Sequence, residues 1–163
     1  ALHHTGPDRE EIHAIGLAEV SRIRAEMDAV RAASGFEGDM PAFLEFLRTD
    51  PQFYAKTPHE LLAFTAWVAK RVDGQLAANL GFLPRRRFTI LPVPDAIAPF
   101  YTGGRGGLES CLFNTYNLPS RPLYTLTALT LHECAPGHSL QAAIAREAPG
   151  EIPEFRANNY YSG

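Results

Sequence analysis

Leu131-His132-Glu133-Cys134-Ala135-Pro136-Gly137-His138-Ser139-Leu140-Gln141 lies inside a run, Arg121 to about Ala148, that otherwise reads as one helix. Pro136 has no N–H to give the carbonyl four residues back, which belongs to His132, and its ring presses on the same carbonyl. A proline inside a helix costs about 3 kcal/mol or more. Gly137 admits dihedrals closed to other residues. A break or bulge is therefore expected between His132 and His138, with Pro136 at the distortion. The spacing of the histidines makes the same demand. They are six residues apart, which at about 100° per residue places them roughly 120° apart around a straight helix. If two residues are absorbed as a bulge, His138 returns to the face of His132.

Two imidazoles bracketing a carboxylate form a donor set suited to zinc hydrolysis. Neutral ring nitrogens ligate the metal, and a glutamate takes a proton from water. The common H-E-x-x-H motif has its histidines four apart, one above the other on a helix, so His132, Glu133 and His138 reach that arrangement only through the break. The same residues are also compatible with a proline-kinked structural helix whose histidines are surface or hydrogen-bonded core residues.

Working outward, the 163 residues suffice for one sizeable core, and 45% hydrophobic with 20% charged residues is ordinary for a globular chain. A net charge of -3 offers no footprint for nucleic acid or an anionic membrane. No apolar run is long enough to span a bilayer. Two cysteines, Cys111 and Cys134, make no disulfide framework.

Three main helices are expected in residues 1–86, and a small sheet plus the motif helix in 87–163, the whole forming one compact unit. The first helix opens at Pro7-Asp8-Arg9-Glu10-Glu11, with acids in its first turn. Its apolar face carries Ile12, Ile15, Val20, Ile23, Met27 and Val30. The second runs from about Met40 to Arg48, behind Asp39 as N-cap. Thr57-Pro58-His59-Glu60 reads as a capping box opening the third, which carries Leu61, Leu62, Phe64, Trp67, Val68, Val72 and Leu76 and ends at Gly81 and Pro84. Phe88 to Pro94 and Glu109 to Tyr116 read as strands, and Tyr101 to Gly107 as a glycine-rich loop. Cys111 to Thr115 is expected to be an edge strand beside the motif helix, with Asn114 and Tyr116 offering polar groups to an extended substrate. Each is equally compatible with an ordinary core strand. Arg85-Arg86-Arg87 reads as a solvated basic turn, and Gly103-Gly104-Arg105-Gly106-Gly107 as a flexible loop over the cleft. His3, His4, His13 and His59 read as surface residues, and Tyr160 and Tyr161 as packing groups.

The motif stretch resembles the H-E-A-x-P-G-H-H-L-Q signature of the bacterial DUF885 family. The resemblance extends through Asn114-Thr115-Tyr116-Asn117-Leu118-Pro119-Ser120-Arg121-Pro122, Leu129-Thr130-Leu131, Glu10-Glu11-Ile12-His13, Phe46-Leu47-Arg48-Thr49-Asp50-Pro51 and Lys56-Thr57-Pro58. Members of that family are similar to gluzincin-type metallopeptidases, mostly helical, and many are exported or lipoproteins. The resemblance implies zinc held by His132 and His138, with Glu133 as general base. Cys134 stands where the pattern has Ala, and Ser139 where it has a second His. The pattern continues into an E-G-W segment, whose Glu is the expected third ligand. This sequence ends at Asn158-Asn159-Tyr160-Tyr161-Ser162-Gly163, where that segment is due. The implied object is a fragment of a larger enzyme, binding zinc weakly and inactive alone.

The expectation is thus a mainly α chain with a small β-sheet (α+β), part of a zincin-like metallohydrolase. Its substrate is a peptide or small amide, and it has no nucleic-acid partner and no membrane span. Rival expectations are a metallohydrolase of non-peptide amides or esters, and a non-catalytic helical binding module. The resemblance permits a periplasmic or lipoprotein location and leaves the cytoplasm open.

Overall fold

Asp8 accepts from the Glu11 backbone N–H at 2.9 Å while Glu11 accepts from that of Asp8 at 2.8 Å, and this reciprocal cap starts helix α1, Arg9–Ala33. The computed structural model describes residues 6, 8–147 and 153. Within them the chain is mainly helical, with one small three-stranded sheet. It divides into two compact units, Ala1–Asp50 and Pro51–Gly163.

The first unit holds α1 and α2, Met40–Thr49, which is capped by the Asp39 carboxylate on the Ala42 N–H at 3.0 Å. Phe36, Phe43 and Phe46 cluster with ring centroids 5.1 to 6.5 Å apart. The apolar face of α1 behaves differently from expectation. Ile12, Ile15, Val20, Ile23, Met27 and Val30 are 39% to 65% exposed, and no residue of α1 is buried.

The second unit begins at residue 51 rather than 87, because α3, Pro58–Asn79, packs on the sheet and on the motif helix and so belongs with them. Thr57 caps α3 through the Glu60 N–H, but Glu60 reaches back to the N–H of Lys56, one residue short of a true capping box. Leu61, Thr65, Val68, Ala69 and Leu76 form its buried stripe. Trp67, expected inward, is 54% exposed and stacks under Arg71 at 4.8 Å.

The sheet contains β1, Thr89–Pro92, β2, Gly104–Gly106, and β3, Ser110–Phe113, in the order β1-β3-β2. β1 runs parallel to β3 and β2 antiparallel to it. The expectation that Cys111 to Thr115 forms an edge strand is therefore corrected: β3 is the central strand, its backbone groups taken up on both sides. The segment read as a flexible glycine-rich loop supplies the outer strand β2. Cys111 and Phe113, both fully buried, point from β3 into the core with Leu61, Leu126 and Cys134. Pro92 fits β1 because an outer strand tolerates a missing donor.

The expected break is present. Helix α4 spans Leu123–Glu133 and helix α5 spans His138–Glu147. Between them the Ala135–Pro136 peptide is cis. Gly137 donates to the Leu131 carbonyl at 3.0 Å and Leu140 to that of Cys134 at 3.1 Å, in place of regular helical bonds.

Candidate metal centre

The break places the last turn of α4 against the first turn of α5. One ligand atom each of His132, Glu133 and His138 lies within 4.8 Å of the others. The imidazole centroids are 4.7 Å apart, and the rings are nearly perpendicular at 87°. His132 is exposed, His138 half-buried and Glu133 buried. Two atoms sharing one ion through bonds of about 2.1 Å stand at most about 4.2 Å apart. Small side-chain rotations therefore close the set, and the cluster can hold a metal ion.

Gly137 is required here for space rather than for unusual dihedrals. A Cβ at that position would lie 1.8 Å from the His132 carbonyl oxygen. Close approach is thus what lets His138 fold back over His132.

Strand β2 forms the other wall. The Gly106 N–H donates to Glu133 Oε2 at 2.5 Å, fixing the carboxylate from the sheet. Cβ atoms on Gly104 and Gly106 would lie 3.3 Å from Glu133 Cγ and 1.9 Å from the Glu133 carbonyl oxygen, so only glycines let this strand meet the end of α4. Beneath the cluster the Ser139 hydroxyl donates to the Gly107 carbonyl at 2.6 Å, with the Glu133 carbonyl at 3.2 Å. The Cys111 thiol lies 3.1 Å from the Ser139 oxygen and 3.5 Å from the Glu133 carbonyl. Contact with Cys111 and burial push the Cys134 thiol far above its ordinary value, which holds it in the neutral form. Cys134 is a small core residue, completely buried.

The whole sequence, residues 2–163, matches the family described as "Bacterial protein of unknown function (DUF885)". The chain belongs to this family. Among solved structures, this DUF885 chain is similar to the crystal structure of "the putative lipoprotein from Colwellia psychrerythraea", with a TM-score of 0.75 and 25% identity over 85% of the chain. The chain spans 26% of that relative's length. No curated protein matches it.

The other expected site residues, Asn114 and Tyr116, follow strand β3. Asn114 is buried, and its amide donates to the carbonyls of Ala98, Tyr101 and Thr102 at 2.8, 3.1 and 3.2 Å. Its side-chain oxygen accepts from the Tyr116 N–H at 2.9 Å. That side chain is committed to holding the loop before β2. Tyr116 is 53% exposed. Sequence reasoning passed over Gly104, Gly106 and Ser139. The only signal for the glycines was their alternation with Arg105, which is the period of a strand. His13, His59 and Arg85 to Arg87 are exposed, as expected. Tyr160, Tyr161, Glu151, Glu154, His3 and His4 lie outside the described residues. No helix among the described residues is long and apolar enough to cross a membrane.

Proposed function

We propose that this DUF885 chain carries the metal-binding core of a zinc-dependent hydrolase of amide bonds, with His132 and His138 as ligands and Glu133 as general base. The observation that carries this reading is the His132–Glu133–His138 cluster, with its ligand atoms within 4.8 Å of one another across a broken helix. Two imidazoles suit a borderline divalent cation, and the carboxylate beside them suits the base for a water such an ion would hold. Zinc, when bound, supplies Lewis acidity toward water and an amide carbonyl.

The residues divide the remaining work. Glu133 Oε2 is held by the Gly106 N–H. Oε1 is then the oxygen that accepts a proton from water and returns it to the leaving amine. Packing of Gly104 against Glu133 Cγ keeps the carboxylate in one orientation. His132, exposed, stands at the open side from which substrate arrives. The third ligand a catalytic zinc normally takes is assigned by the family pattern to a glutamate beyond Gly163. The lipoprotein description of the structural relative makes an exported setting part of the same proposal.

Calorimetric zinc titration and hydrolysis of unstructured peptides test it. His132→Ala and His138→Ala are each expected to remove the weak zinc binding of the 163-residue chain. In an extended chain that includes the glutamate, Glu133→Gln is expected to lower turnover at least a hundredfold. Zinc binding unchanged in both histidine variants rejects the metal site.

A further inference from the structure

Arg121 stands just before α4 with its side chain half-buried. Its Nε is shut off from solvent and has no hydrogen-bond partner. Among the described residues no carboxylate forms an ion pair with it. A buried polar nitrogen left without an acceptor costs about 1–3 kcal/mol, and more when charged. A ligand in a cavity cannot reach that shielded nitrogen; the atoms open to one are Nη1 and Nη2, which donate to no described residue.

The guanidinium lines a cavity of about 150 Å³ whose other walls include Leu61, Pro122, Leu126 and Leu129. That volume holds roughly five waters at about 30 Å³ each, or one short acidic group. Asn114, also on the wall, has both amide protons turned to loop carbonyls. Arg121 is the one charged group on the lining. A single planar fork in an apolar-walled cavity matches a carboxylate, which it can grip through two parallel bonds. A phosphate fits the same fork but would bring a second negative charge with no second cation on the lining.

The cavity lies next to the metal centre along the chain of β2. A Cβ on Gly103 would sit 3.6 Å from Arg121 Nη1 and 3.6 Å from Leu129 Cδ2, and one on Gly104 would sit 3.5 Å from the same methyl and 3.3 Å from Glu133 Cγ. Through the shared Leu129 methyl, the guanidinium and the Glu133 side chain are separated by at most about 14 Å, the reach of about four extended residues at about 3.3 Å each.

We propose that the Arg121 cavity binds a carboxylate of the substrate, carried within about four residues of the bond that is cut. The distance from the scissile bond rests on the hydrolase reading above; the carboxylate site itself does not. The carboxylate belongs either to an acidic side chain or to the C-terminus of the peptide.

Four N-acetylated tetrapeptides test the proposal on the zinc-free 163-residue chain. Two are all-alanine, ending in an amide or a free carboxylate. Two are amidated and carry aspartate or asparagine at the last position. Binding is followed by the NMR signal of the Arg121 guanidinium and by equilibrium titration. At least one carboxylate peptide is expected to bind about ten- to hundredfold more tightly than its neutral counterpart and to shift the Arg121 signal. Which one does so identifies the source. Arg121→Met is expected to erase the preference and Arg121→Lys to keep part of it, with circular dichroism reporting that both fold. The primary comparison is between ligands on the unaltered chain, so it survives a variant that fails to fold. Equal binding of all four peptides, no binding of any, or a preference that persists in Arg121→Met overturns the proposal. The zinc titration of His132→Ala is independent of this result, so a failed metal site and a failed carboxylate site are told apart.

Discussion

Replacing Gly106 by alanine puts a methyl group where β2 meets the end of α4. A Cβ there would lie 1.9 Å from the Glu133 carbonyl oxygen, 2.7 Å from His138 Cβ and 2.8 Å from the Glu133 carbonyl carbon. Carbon atoms pack best at about 3.5–4.0 Å, so the strand must retreat by about 1 Å or more. Two of the three obstructing atoms are backbone and the third is a Cβ, so no side-chain rotation relieves the overlap. Overpacking of this kind costs about 1–3 kcal/mol. The retreat also breaks the bond from the Gly106 N–H to Glu133 Oε2, now 2.5 Å long. A bond to a charged acceptor contributes about 1.5–3 kcal/mol. The expected loss is therefore about 3–6 kcal/mol, a large share of the roughly 5–15 kcal/mol that holds a typical domain folded. Urea denaturation measures it, provided the slope is unchanged between variants. Gly74→Ala is the control: that glycine is in α3 with nothing within 4 Å of an added Cβ. It is expected to stabilise by about 0.5–1 kcal/mol through helix propensity. A Gly106→Ala protein within 0.5 kcal/mol of the parent would refute the packing of β2 against Glu133.

Asn114→Ala is expected to destabilise by about 1–3 kcal/mol, because the buried Ala98 carbonyl loses its donor and the half-buried loop loses its tie to Asn114; an unchanged denaturation midpoint would contradict this. Glu147 accepts from the backbone N–H groups of Arg85 and Arg86 at 2.7 and 2.9 Å, and the Arg85 bond above all holds its carboxyl below the usual range, with burial opposing. A depressed carboxyl stabilises the fold above its unfolded value and loses that contribution as pH falls through the lower folded value. The stability gap between parent and Glu147→Gln should therefore be constant at neutral pH and close below about pH 4.3; a gap independent of pH would contradict it. Cys111 and Cys134 are both completely buried, so a thiol reagent should label them only as fast as the chain opens. Rapid stoichiometric labelling without denaturant would show otherwise.

The helical elements and the break at Pro136 were legible because their signals are local. Asp8, Asp39 and Thr57 are caps, and a proline removes one named hydrogen bond. What escaped was set by pairing between distant segments. Gly103 to Gly107 carries loop residues, yet Gly104–Gly106 is strand β2, paired with β3 and with its two glycines facing Glu133 at the end of α4. β3 reads as an edge strand only while β2 is taken for a loop. The boundary of the second unit moved for a similar reason: helix α3 looks like its predecessors in sequence, and only its packing against α4 and β1 assigns it to the sheet. His132, Glu133 and His138 were legible as candidate metal-site chemistry, whereas the Gly106 N–H that orients Glu133 comes from 27 residues upstream and left no pattern.

The break between α4 and α5 would be costly if it left backbone groups unpaired in the core, since each such group costs about 1–3 kcal/mol. The residues around it supply partners for several of these groups. The Thr130 carbonyl receives the Cys134 N–H at 2.9 Å, and the Leu131 carbonyl receives that of Gly137 at 3.0 Å. The Glu133 carbonyl is met by the Cys111 thiol at 3.5 Å, with the Ser139 oxygen 3.2 Å away and its proton turned to the Gly107 carbonyl. On the far side the Leu140 and Gln141 N–H groups find the Cys134 and Gly137 carbonyls at 3.1 and 2.9 Å. Ser139 thus has a structural task at a position where the family signature places a second histidine, and it joins β2 to the break through the Gly107 carbonyl. The six-residue spacing of the histidines and the H-E-x-x-H spacing then solve one geometric problem in two ways. A regular helix stacks residues four apart, and an interrupted one stacks residues six apart when a proline ends the first segment and a glycine lets the second fold back onto it.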